Sequence, residues 1–280
     1  MKKNHKTLSV IVMVWLFLLI FLAANVRPAT AITYGQLDST NHYPNVGTLV
    51  VTIPGEGDFP VCSGTLIGER AFLTAGHCTN FLSQAIAAGD LVIENIKVSF
   101  DPLNSTTPAS DWDVQKLMTH PDFKSVTAFV IADVGMVTLV NKPGIAPAQL
   151  APVGYLDGLQ ASGQLQKAAP SASFTLVGYG AQLNWPPPQL NFDSTGRYYT
   201  DAVFQSLSSR WIHVNQNPVV GNGGICFGDS GGPTFWKTQS GQMLLAGVNS
   251  WVGAIHCNSN GYSYRVDLPE IQSFIYAATH

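Results

Sequence analysis

The spacing of glycine and proline constrains this chain most. The 280 residues contain 26 Gly and 17 Pro. Between them stand short runs rich in Val, Ile, Thr, Tyr and Phe: Thr48–Ile53, Leu91–Phe100, Phe129–Val140, Ser173–Val177, Tyr198–Leu207, Trp211–Val214, Met243–Asn249 and Gly261–Val266. β-Branched and aromatic side chains fit a pleated, half-buried surface, and the Gly and Pro between the runs turn the chain. The reading is an all-β protein. One helix is expected, at the C-terminus. There Asp267 and Glu270 form a capping-box pattern, Pro269 suits a first turn, and Leu268, Ile271, Phe274, Ile275 and Ala278 share a face. The stretch Asn141–Gly163, rich in Pro, Gly and Ala, divides the chain into two β halves. Leu183–Gln189, with three consecutive prolines, reads as an exposed loop.

Composition excludes several classes. At 46% hydrophobic and 11% charged residues, the chain is the opposite of a disordered polymer. No Lys/Arg cluster lies beyond the first six residues, which argues against a nucleic-acid partner. The first 31 residues read as a signal peptide: Lys2, Lys3 and Lys6, then seventeen residues Leu8–Ala24 with only Ser9 polar, then Ala29-Thr30-Ala31. A membrane anchor is the rival, but a span needs about 20 apolar residues. Cleavage after Ala31 removes four basic residues and leaves 10 basic against 17 acidic, so the exported chain carries a net charge of −7.

Four cysteines, Cys62, Cys78, Cys226 and Cys257, suit an oxidising compartment. Three pairings are open. Their grouping as an early and a late pair favours Cys62–Cys78 and Cys226–Cys257. No C-x-x-C spacing suggests zinc, and neither metal nor cofactor is expected.

Three segments carry chemistry: Leu73-Thr74-Ala75-Gly76-His77-Cys78, Ala132-Asp133-Val134-Gly135 and Cys226-Phe227-Gly228-Asp229-Ser230-Gly231-Gly232-Pro233. A serine hydroxyl is a weak nucleophile at neutral pH and needs a base within hydrogen-bond reach. Histidine titrates near working pH, and a buried carboxylate holds its tautomer. Glycines beside the serine let backbone N–H groups turn toward a developing oxyanion. Asp111, Asp113 and Asp122 also lie between His77 and Ser230. Asp133 is preferred because apolar residues flank it on both sides, and a carboxylate there is costly without a partner. Gly228-x-Ser230-x-Gly232 also fits the nucleophile elbow of α/β-hydrolases. That fold requires the order Ser, Asp, His, and too little chain follows Ser230 to complete it.

With these segments, and Ser250-Trp251 followed by Cys257, the chain resembles the trypsin/chymotrypsin family of serine endopeptidases over nearly all of the exported length. The resemblance implies two six-stranded antiparallel β-barrels, 32–145 and 146–266, with the site between them and a helix over 267–280. It implies His77 as base, Asp133 as its orienting carboxylate, Ser230 as nucleophile, and the N–H groups of Gly228 and Ser230 as oxyanion hole; these are the roles of the worked triad of that same family. It places Gly224 at the base of a specificity pocket, with Ile225 next to it adding apolar wall, Ser250, Trp251 and Val252 on one wall and Gly261 on the opposite one. An uncharged base and the β-branched Val252 suggest cleavage after small or medium apolar residues. A polypeptide substrate follows, and a protein protease inhibitor is a compatible partner.

The family also activates by inserting a new N-terminus beside the Asp that precedes the nucleophile. Here export cleavage would itself free Ile32 to pair with Asp229, with cleavage after Ala24 as the rival. Asn104-Ser105-Thr106 is a glycosylation sequon with meaning only in a eukaryotic secretory path. Two non-peptidase alternatives are an inactive or weakly active binding protein on the same fold and a surface-anchored adhesion protein.

Overall fold

The computed structural model describes residues 32–103, 111–126, 129–184, 189–191 and 196–279. The leader 1–31, the sequon at 104–106 and most of the proline loop lie outside the described residues.

The first half contributes strands β1 (Val46–Ile53), β2 (Gly57–Leu66), β3 (Ala71–Thr74), β4 (Ile96–Ser99), β5 (Asp111–Thr119) and β6 (Gly135–Leu139). They close into a barrel in the order β1-β2-β3-β6-β5-β4, antiparallel throughout. The second half contributes β7 (Ser173–Gly178), β8 (Tyr198–Leu207), β9 (Trp211–Asn215), β10 (Pro233–Lys237), β11 (Met243–Val252) and β12 (Asn260–Arg265). Their order is β8-β7-β10-β11-β12-β9, and pairing of β8 with β9 closes the second barrel. Closure removes the exposed strand edges that an open sheet of these lengths would present. Alternate residues point inward. Leu49, Phe72, Ile96, Val98 and Val137 fill the first barrel, and Phe174, Leu176, Ala202, Phe204, Ile212 and Trp236 fill the second.

Among the described residues three α-helices accompany the barrels: α1 (Gly76–Ala88), α2 (Tyr155–Ala161) and α3 (Pro269–Thr279). The C-terminal helix is where the sequence places it, with Ile271 and Ile275 buried. Asp267, read as its capping residue, commits its carboxylate to Arg265 and to the N–H of Leu156. Helices α1 and α2 depart from the sequence reading. In α1 the buried residues are Gly76, Cys78, Thr79 and Leu82, only one of them a large apolar side chain, while Phe81 faces solvent. Such a helix shows little 3.6-residue periodicity. Phe129–Val140 is also not one strand. A break at Ala132–Val134 separates Phe129–Ile131 from β6.

The segment after residue 32 is pinned between the barrels. Arg197 is completely buried. Its Nε donates to Asp38 Oδ2 at 2.8 Å, and its Nη1 donates to the carbonyls of Val46 (2.8 Å) and Phe100 (3.2 Å) and to the Tyr179 hydroxyl (3.1 Å). The Asp38 carboxylate also accepts the N–H of His42 at Oδ1 and that of Tyr43 at Oδ2. One buried cation therefore ties the N-terminal segment to the first barrel and to the end of β7.

Candidate active site

Strand β3 ends at Thr74, and His77 sits in the first turn of α1. Asp133 lies in the break before β6. Two glycines bring these segments together. A Cβ on Gly76 would stand 2.9 Å from the backbone nitrogen of Val134, and one on Gly135 would collide with Thr79. With neither present, the main-chain N–H of His77 donates to Asp133 Oδ1 at 2.8 Å. The ring Nδ1 lies 2.9 Å from Oδ2 and 3.1 Å from Oδ1. Ala132, just before the carboxylate, has φ +47°. A non-glycine residue seldom adopts that conformation, and a tightly packed surrounding holds it there.

Asp133 is fully buried, whereas the His77 side chain is 36% exposed. Asp113 and Asp122, the rival carboxylates, are exposed, and Asp111 is partly so. A third donor reaches Asp133 from the other barrel: the Ser250 hydroxyl donates to Oδ2. Ser250 is the residue that the ladder between β11 and β12 skips, since Asn249 faces Ser263 and Trp251 faces Tyr262. Such a bulge re-aims one side chain out of the sheet alternation. Burial alone would raise the Asp133 carboxyl, but the neighbouring imidazole and the three donors outweigh it and hold the group below the usual range. For His77, burial pulls downward, and the hydrogen bond and charge of Asp133 win, so its pKa lies above the ordinary value.

Ser230 lies in the turn before β10. Its carbonyl accepts the Ser63 N–H at 2.8 Å, which ties the turn to the first barrel. Gly228 has φ +94° and Gly231 φ +86°. A side chain on Gly228 would press on Gly180, and one on Gly231 would collide with Thr74 and Ser63. Both positions therefore need glycine for conformation and for space. His77 and Ser230 line one cavity of about 410 Å³ together with Ile225, Cys226, Phe227, Ser250, Trp251 and Val252. Trp251 stacks on Tyr262, ring centroids 3.7 Å apart, and is 41% exposed.

Four of the six residues assigned to the pocket, Ile225, Ser250, Trp251 and Val252, border this cavity. Gly224 and Gly261 do not; both are buried. A residue that no sequence pattern singles out, Gln216, covers them. A Cβ on either glycine would meet its side chain.

Both expected disulfides are formed, Cys62–Cys78 and Cys226–Cys257. His77 lies beside the first pair, but sulfurs bonded to each other offer no thiolate to a metal.

Asp229 is fully buried. Gly178 and Gly180 leave room for its carboxylate, which accepts the N–H of Gly180 and of Cys226, each at 2.8 Å. Among the described residues no cation pairs with it, and burial pushes its carboxyl up to about 7. Its two carboxylate hydrogen bonds come from Gly180 and Cys226, not from Ile32. Ile32 is nevertheless already buried, and the Thr33 and Gly224 main chains exchange hydrogen bonds of 2.8 and 3.0 Å.

Two closed antiparallel barrels with a His–Asp pair and a serine in a glycine-bracketed turn define the double-barrel serine protease class. The family model for Trypsin matches residues 24–275, and the chain belongs to that family. Chymotrypsin-like elastase family member 3B of Macaca mulatta is 28% identical over 71% of this chain and 74% of its own length. Trypsin, alkaline B of Manduca sexta is 25% identical over 82% of this chain and 85% of its own. Serine proteinase stubble of Drosophila melanogaster is 26% identical over 86% of this chain, which spans only 30% of that protein. Among the described residues, no helix is long and apolar enough to cross a membrane.

Proposed function

We propose that the chain is a secreted serine endopeptidase that cleaves polypeptides after small or medium apolar residues. The observation that carries this reading is the pairing of His77 Nδ1 with a buried Asp133, at the rim of the cavity that Ser230 shares. With Nδ1 held as donor to Asp133, Nε2 is the free acceptor and takes the Ser230 proton as Oγ attacks the scissile carbonyl. The carbonyl oxygen becomes negative and is received by the N–H groups of Gly228 and Ser230. The imidazolium returns its proton to the leaving amine as the C–N bond breaks, leaving an acyl-Ser230. Water then repeats the sequence, its proton passing to His77 and its oxygen to the acyl carbon, and Ser230 is regenerated. A fluorophosphonate probe tests this reading: it should label the processed protein and not Ser230→Ala, which should fold normally and cleave nothing. An unlabelled, inactive wild-type protein would leave the binding-protein alternative.

Activation belongs to the same reading. Ile32 has φ +48°, a conformation rare for a β-branched residue, and that dihedral exists only while the preceding peptide bond does. Cleavage after residue 31 removes the constraint and creates an α-ammonium in a segment already seated beside Gly224. Asp229, buried with no cation among the described residues, is the group that gains from it.

A further inference from the structure

We infer that Gln216 sets the depth of the pocket beside Ser230 and restricts the residue before the scissile bond to a small side chain; the inference rests on the peptidase reading above. Gln216 directly follows β9 and is completely buried. Its Nε2 donates to the carbonyls of Ile225 (3.1 Å) and Cys257 (3.0 Å). Ile225 borders the cavity, and Cys257 is bonded to Cys226, which borders it too. The amide is thus fixed from two sides of the pocket.

Held there, the side chain lies across the two glycines that would otherwise open the pocket downward. A Cβ on Gly224 would collide with Gln216 Cβ and Oε1. A Cβ on Gly261 would stand 2.5 Å from Oε1 and 3.2 Å from Ile225 Cγ1. Gln216 fills the volume that side chains at both positions would take, and Ile225 rests against it as the visible floor. Oε1 has no donor among the described residues. A buried acceptor without a partner is costly. An apolar side chain of equal length would fill the space without that cost, but it would lack the two hydrogen bonds that fix the floor. A substrate side chain entering past Val252 and Ser250 therefore meets Ile225 backed by a rigid amide. On this inference a small side chain such as Ala is accommodated more readily than Leu or Phe.

The test uses peptide substrates differing only in Ala, Val, Leu or Phe before the scissile bond. The processed wild-type protein, Gln216→Ala and Gln216→Met are each quantified by fluorophosphonate titration. In the wild type, kcat/KM should favour Ala over Phe by about tenfold or more. Gln216→Ala should raise Leu and Phe relative to Ala by about tenfold, and Gln216→Met, which refills the volume but lacks the two hydrogen bonds, should shift the order less than Gln216→Ala. An unchanged order in a labelled Gln216→Ala protein overturns the inference, as does a shift in Gln216→Met equal to that in Gln216→Ala. If Gln216→Ala does not fold, the wild-type series decides: preference for Leu or Phe over Ala overturns it. A wild-type protein that neither labels nor cleaves overturns the peptidase reading, and this inference with it, which is a distinct result.

Discussion

Ser250 and Asp133 come from different barrels, and the hydroxyl of the first donates to the buried carboxylate of the second. The contact exists because a bulge in β11 turns Ser250 out of the ladder. Together with the ring and main-chain N–H of His77, it leaves the carboxylate little freedom to rotate or to protonate. Asp133→Asn should preserve this geometry yet favour the wrong imidazole tautomer, with kcat falling on the order of 10⁴-fold. Ser250→Ala removes one hydrogen bond to a charge, and kcat should fall about tenfold with KM little changed. Steady-state kinetics on both variants check this. Near-full activity of Asp133→Asn would remove Asp133 from the mechanism.

The pH dependence follows from the same pair. In the proposed mechanism the base works as neutral imidazole, and Asp133 holds the His77 pKa above its ordinary 6.5. Activity should therefore rise with pH along a limb centred above 6.5. In Asp133→Asn the interactions that raise it are gone while burial still lowers it, so the residual activity should show a limb shifted to lower pH. A pH profile of kcat/KM for the two proteins measures the direction.

The proposed Ile32–Asp229 pairing links processing to stability. Burial pushes the Asp229 carboxyl from the ordinary 3.8 up to about 7 in the uncleaved fold. Between these values the folded, uncleaved chain binds more protons than the unfolded one, so its stability is greatest at the acid end and declines as pH rises toward 7. An α-ammonium on Ile32 would remove that decline. A protein with one extra Met before Ile32 should be folded and weakly active, with a urea midpoint that falls further behind the processed form as pH rises from 5 to 7.5. Full activity of that protein would contradict the Ile32–Asp229 pairing.

Asp38→Ala should be strongly destabilising, because it leaves the completely buried Arg197 without its counter-charge. Breaking such a pair from one side costs about 3–5 kcal/mol. Replacing both residues by Leu should recover part of the loss, and denaturant titration of the single and double variants distinguishes the two. An unaffected Asp38→Ala protein would mean that the remaining carbonyl acceptors around Arg197 suffice.

Removing the Cys62–Cys78 bond by Ala substitution frees a loop spanning 16 residues. The expected cost is about 3 kcal/mol of stability. Because Cys78 follows His77 in the first turn of α1, activity should fall at temperatures where the global fold persists. Parallel thermal curves for ellipticity and for turnover reveal whether the two separate.

The protein class was legible in the order of the residues. Short β runs between Gly and Pro specify strands, because side-chain alternation and turn chemistry act over a few residues. The early and late cysteine grouping anticipated both disulfides, and the apolar surroundings of Asp133 marked a carboxylate that burial would force to find a partner. The tertiary structure alone decided the rest. Helix α1 went unrecognised because its buried face is narrow and holds a cysteine and a threonine, so its periodicity is faint. The bulge that aims Ser250 at Asp133 depends on register between β11 and β12, which no single strand encodes. The Asp38–Arg197 pair joins residues 159 apart in sequence. Gln216 reads as an ordinary polar residue after a strand, and only the packing of Gly224, Gly261, Ile225 and Cys257 around it puts a buried amide beneath the pocket. Local physics is written in neighbouring residues, whereas contacts between barrels depend on closure, and closure is a property of the whole chain.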